Sequence, residues 1–185
     1  MQHAIAWMAG TLFSLLVVQV PAQAQKSTSK LSDPEVASVA VTANQIDIDA
    51  AKLAKEKSKD AEVIKFADMM IKDHQSVIDK AVALTKKLKI TPKDNTTSRK
   101  LLADAEKTKT MLRAKSGAAF DKAYIDNEVT YHKAVISTVN DVLIPDTENA
   151  ELKKLLQDVA PILKAHLEHA QMVQKQFNQK QISKK

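Results

Sequence analysis

Apolar residues recur along this chain in alternating steps of four and three, in four separate stretches. One reads Val63, Ala67, Met70, His74, Val77, Ala81, Leu84, Leu88. A second reads Ile125, Val129, His132, Ile136, Val139, Leu143, and a third Leu152, Leu156, Val159, Leu163, His166, Ala170, Val173, Phe177. The earliest is looser: Val36, Ala40, Ala43, Asp47, Ala50, Ala54. Such spacing marks the inward seam of a helix packed on other helices. Each seam is interrupted by one residue that prefers water: Asp47, His74, His132 or His166. Three imidazoles and a carboxylate are thereby directed at one interior, where each needs a hydrogen-bond partner or a metal.

Stop signals divide the seams into helices. Asp33-Pro34-Glu35 reads as a start, with Asp33 as cap and Pro34 in the first helical position, and the helix runs to about residue 57. Asp60 caps a second helix that ends near residue 89, before the breaker Ile90-Thr91-Pro92-Lys93-Asp94-Asn95. A shorter helix covers about residues 97–114, with Leu101, Leu102, Ala105 and Met111 as its apolar positions, and Ser116-Gly117 interrupts it. A fourth spans about 118–143 up to Pro145-Asp146-Thr147, and a fifth about 148–177 with Pro161 inside it. Two tight hairpins joined by a helical crossover long enough to travel the bundle predict an all-α, ferritin-like four-helix bundle. The competing arrangement is an up-down bundle with a fifth capping helix.

Depth along the helices tests whether the interrupting residues meet. Counted from a turn near Ser58, Asp47 and His74 differ by about 7 Å in level, which a long side chain spans. Counted from a turn near Asp146, His132 and His166 differ by about 9 Å, while Glu128, one turn from His132, is level with His166. His169 shares a face with His166 at a spacing of three. A site therefore draws on Asp47, His74, Glu128, His132, His166 and His169, but not on all of them at once.

Composition narrows the setting. The chain has 185 residues, two glycines, no cysteine and a formal charge of +6. Its length suits one well-cored domain. Six of the 28 basic residues lie in the flanks (Lys26, Lys30, Lys175, Lys180, Lys184 and Lys185), so the body between them is neutral. With only Arg99 and Arg113 as arginines, the chain lacks the basic face of a nucleic-acid-binding protein. Residues 4–20 are almost continuously apolar and precede Pro21-Ala22-Gln23-Ala24, a signal-peptide pattern with cleavage after Ala24. Residues 1–24 then form the signal, 25–32 a polar linker, 33–177 the bundle and 178–185 a basic disordered tail. The expected location is periplasmic or secreted, with no transmembrane segment after cleavage and no partner protein specified. Absence of cysteine excludes disulfides, thiolate ligands and a cysteine nucleophile.

Imidazole with carboxylate suits a transition metal such as copper, zinc or iron. Met70, one turn before His74, and Met172, three residues past His169, would favour copper as thioether ligands, or else are core packing. Asp73 adjoins His74 in sequence but lies about 100° around the helix, so it reads as a surface charge. A di-iron oxidase needs Glu-x-x-His on two helices, and none occurs. With glycine only at positions 10 and 117, there is no phosphate-binding loop, nor a serine-hydrolase motif.

Phe66-Ala67-x-x-Met70-x-x-Asp73-His74, then Ser116-Gly117-Ala118-Ala119-Phe120-Asp121-x-x-Tyr124 with His132, then Pro161-x-x-x-x-His166-Leu167 resemble the bacterial domain of unknown function 4142 family. Asp47-Ile48-x-x-Ala51-Lys52-Leu53-Ala54 is similar to its first helix, where the family usually has glutamate in place of Asp47. The resemblance covers residues 33–177. It implies an exported ferritin-like bundle, often labelled an outer-membrane protein, with His74, His132 and His166 at the family's histidine positions and no established activity. The helical pattern here is not that of a barrel. The functional expectation is an exported bundle whose buried histidine and carboxylate cluster binds a transition metal, without assigned catalysis. The alternative is a structural or stress-related bundle with a metal-free polar core, and a third reading is a metal-dependent oxidoreductase.

Overall fold

The computed structural model describes residues 30–182, and every described segment of regular structure is helical. The expected signal peptide and residues 25–29 of the linker lie outside the described residues. Five long helices carry the fold: α1 (Asp33–Lys57), α2 (Ala61–Leu88), α3 (Thr96–Arg113), α4 (Gly117–Thr138) and α6 (Ala150–Ile182). A π-helical turn, Val139–Leu143, and a single turn, α5 (Ile144–Asp146), join α4 to α6. None of these helices is long and apolar enough to cross a membrane.

The helix ends follow local chemistry, with two corrections. Asp60 caps α2 as expected, accepting from the backbone N–H groups of Glu62 and Val63. Asp33, however, is the first residue of α1 rather than its cap; that place belongs to Ser32, whose backbone N–H donates to Glu35. The Asp33 carboxylate instead accepts from the backbone N–H groups of Glu148 and Asn149, 2.9 and 3.0 Å away, and so ties the start of α1 to the start of α6. Asn149 caps α6, which starts at Ala150, two residues later than the sequence suggested, and continues past Phe177 to Ile182. Gly117 has a φ of +53°, a left-handed conformation that glycine adopts without strain, and it lets the chain reverse from α3 into α4.

Packing sets two apolar clusters at different levels, with α1 against α2, α4 against α6, and α2 against α6. One cluster gathers Leu53, Phe66, Met70, Leu112, Phe120, Tyr124, Ile125 and Val173. The other gathers Val36, Val39, Val77, Leu143, Leu152, Leu156, Val159 and Leu163. Asp47, His74, His132 and His166 fall between them in sequence on all four helices, forming a polar layer between apolar layers. Helix α3 lies along α1 and reaches α4. It is anchored by Leu112, fully buried and not among its expected apolar positions, while Leu102 and Met111 are exposed.

Candidate metal centre

The four interrupting residues meet. His74, His132 and His166 form a triangle with ring centres 5.1–5.7 Å apart, and all three are buried. Asp47 Oδ2 lies 3.4 Å from His74 Nε2 and 3.5 Å from His132 Nε2. Glu128, fully buried, brings Oε2 to 3.6 Å from His132 Nδ1. The level difference expected between His132 and His166 does not arise, because the chain turns at residues 147–149 rather than at Asp146. From there His132 lies 15 residues back and His166 17 residues on. His169 stays out of the cluster: its ring packs edge-on against Phe66 at 5.3 Å. Met70 belongs to the apolar cluster and Met172 is exposed, so neither thioether joins the imidazoles.

Each imidazole is held from behind by an acceptor, and these acceptors fix which nitrogen carries the proton. Asn44, one turn before Asp47, donates its amide to the Ala40 carbonyl at 2.8 Å, which turns its Oδ1 toward His74 Nδ1 at 2.7 Å. A carbonyl oxygen only accepts, so His74 Nδ1 is protonated and Nε2 keeps its lone pair. His132 Nδ1 donates to the main-chain carbonyl of Glu128 at 3.0 Å, leaving Nε2 free in the same way. His166 Nε2 donates to Asp73 Oδ2 at 3.0 Å, leaving Nδ1 free. Asp73 is thus the partner of His166 rather than a surface charge, since its place about 100° around α2 from His74 aims it at α6. The three free nitrogens and both Asp47 oxygens are buried without any hydrogen-bond partner among the described residues.

Burial also sets the charges. Desolvation, then the neighbouring His166 and His132, push His74 down to about 3. His132 falls to about 4, mainly through desolvation, with a further push from His166 and an opposing pull from the Glu128 carbonyl. His166 is lowered by burial while Asp73 pulls it back. Asp47 is pushed up to about 8 by burial, and Glu128 rises well above its usual range through burial and then Asp47. At neutral pH the imidazoles are neutral and Asp47 is largely protonated. The Asp47–His contacts of 3.4–3.5 Å are therefore neutral juxtapositions and not ion pairs.

Neutral imidazoles with inward lone pairs, each oriented by an outer hydrogen bond, are the usual state of histidine ligands. A tetrahedral ion with bonds of about 2.0–2.1 Å has neighbouring donors about 3.4 Å apart. The Asp47–His74 and Asp47–His132 separations match that edge, and one nitrogen from each of His74, His132 and His166 falls within 4.8 Å of the other two. The three imidazoles therefore form a grouping that suits a transition-metal ion, with Asp47 set against two of them. Asp47, Glu128 and His132 form a second grouping that shares His132. Tyr124 adds a buried hydroxyl with no hydrogen-bond partner among the described residues, and its ionisation is disfavoured by burial and then by Glu128 and Asp47. Tyr131 donates to the Ala43 carbonyl at 2.8 Å.

The family model described as "Domain of unknown function (DUF4142)" matches residues 18–173. No curated protein matches the sequence. Among solved structures, the chain is similar to one titled "CopM in the Cu(II)-bound form", with a TM-score of 0.60 and 16% identity. That match covers 80% of this chain and 99% of the other, and it is a likeness of fold.

Proposed function

The chain belongs to the DUF4142 family, and we propose that it binds one divalent transition-metal ion through His74, His132, His166 and Asp47 in the interior of a ferritin-like four-helix bundle. The observation that carries this reading is the set of three buried imidazole lone pairs without partners among the described residues, each aimed by a hydrogen bond on its other nitrogen. Burying such groups unsatisfied is costly, and a metal satisfies all of them together. Glu128 lies beside the set as a second carboxylate, so that a dication with ionised Asp47 and Glu128 leaves no net charge in the interior. Copper and zinc suit three imidazoles and a carboxylate, and the structural neighbour is titled in its Cu(II)-bound form.

Four protein donors make a closed coordination shell, which favours holding a metal over turning over a substrate. The apolar run and Pro21-Ala-Gln-Ala24 support export, which places this binding outside the cytoplasm. A metal-free polar core is the second reading, favoured by the raised Asp47 and Glu128, which leave the layer uncharged without an ion. Elemental analysis of untagged protein separates the two. About one equivalent of copper or zinc, lost in a folded His74→Ala/His132→Ala variant, is the expected result. A parent that is metal-free and takes up neither added ion overturns the metal reading.

A further inference from the structure

All four donor residues are buried, so an ion must cross a wall of the protein to reach them. Among the described residues, a cavity and a cleft approach the layer. The first is a cavity of about 420 Å³ lined by residues of all five long helices, among them Val39, Leu101, Ala105, Val135 and Leu156, which reaches Asp47, His74 and His132. The second is a cleft between α2 and α6, lined by Met69, Asp73, Ile162, Ala165, His166 and His169. Hydrocarbon makes up most of the walls of the first, with Asp49, Asp104 and Glu106 also among its lining residues. The second is lined by a carboxylate, two imidazoles and a thioether, all ligand types that transition metals accept.

The outer hydrogen bonds single out the second. His74 is held by the buried Asn44, and His132 by a main-chain carbonyl inside α4. His166 is held by Asp73, whose side chain is 36% exposed and faces the cleft. His166 is accordingly the ligand whose restraint can be released from the solvent side. His169, one turn further along α6, lines the same cleft and takes no part in the buried set.

We propose that the α2–α6 cleft is the loading port, where His169, Met69 and Asp73 take a divalent transition-metal ion from solution and pass it inward as His166 turns. This rests on the metal reading above. A port changes the rate of exchange in both directions and leaves the equilibrium unaltered. Stopped-flow measurement of zinc uptake and release, against a chromophoric zinc chelator, tests it on the purified protein. Ala165→Phe, which narrows the cleft, should slow uptake and release together by about tenfold, with Kd within about twofold of the parent. His169→Gln should slow both by about threefold or more, again with Kd held. Ala134→Phe, on the wall of the apolar cavity, should change neither rate. Unchanged rates in both cleft variants, or slowing by Ala134→Phe alone, would overturn the port while leaving the metal site standing. A parent that binds no zinc or copper removes the site and the port together.

Discussion

Each imidazole of the buried layer is restrained by a different acceptor: the Asn44 side chain for His74, the Glu128 main-chain carbonyl for His132, and the Asp73 carboxylate for His166. These bonds fix the tautomer as well as the ring orientation, so their loss weakens a metal site without removing a ligand. Asn44→Leu should lower metal affinity about 10–100-fold in a competition titration while keeping the stoichiometry. Met70→Leu, in the apolar cluster, should leave affinity unchanged and cost less than about 1.5 kcal/mol in urea unfolding. A loss of metal in Met70→Leu would contradict its assignment to the core. The four inward residues were legible in the sequence because each occupies a seam position of its own helix. Asn44 and Asp73 were not, because their roles depend on which atoms face them, and for Asp73 the partner lies on another helix. Spacing placed His169 with His166, but the packed ring of Phe66 draws it away from the layer.

At the scale of elements, the helices carry the polar layer at a common depth because the connections set their register. Asp33 shows how: it lies in the first turn of α1 and binds two backbone N–H groups at the entry to α6. Replacing it with Ala should cost about 1–2 kcal/mol in urea unfolding, as for loss of a helix cap, and a change within about 0.3 kcal/mol would show that the tie adds nothing. The seam periodicity made four of the five long helices readable and the flanking breakers marked the fifth, α3, with ends correct to within a few residues where Asp60, Asn95 and Gly117 mark them. The π-helical turn at Val139–Leu143 was not readable, since the four-and-three pattern passes through it unbroken. It matters because the chain reverses later than Pro145 suggests, and that later reversal brings His132 level with His166.

For the whole molecule, the buried layer couples folding to pH. Asp47 stays protonated up to about pH 8 when folded, against a usual carboxyl value of 3.8, and Glu128 is displaced in the same direction. An unfolded chain releases those protons earlier, so the folded state binds more protons over that interval, and the two carboxyls lower stability as pH rises. His74 and His132, pushed down to about 3 and 4, act oppositely, but only below their ordinary value of 6.5. Between about pH 6.5 and 8 the carboxyl effect acts without that opposition. The melting temperature of the metal-free protein should therefore fall across this interval, and Asp47→Asn should flatten the fall. Metal binding needs ionised Asp47, so affinity should rise over the same interval and the metal-saturated protein should lose the decline. A metal-free melting temperature that climbs from pH 6.5 to 8 would contradict the burial of protonated carboxyls.

X-ray absorption at the metal edge of the zinc-loaded protein reads the proposed coordination shell directly. Expected are about four nitrogen or oxygen neighbours near 2.0–2.1 Å, with the outer-shell scattering of three imidazoles and no sulfur. A sulfur neighbour, or scattering from no more than one imidazole, would contradict the site formed by His74, His132, His166 and Asp47.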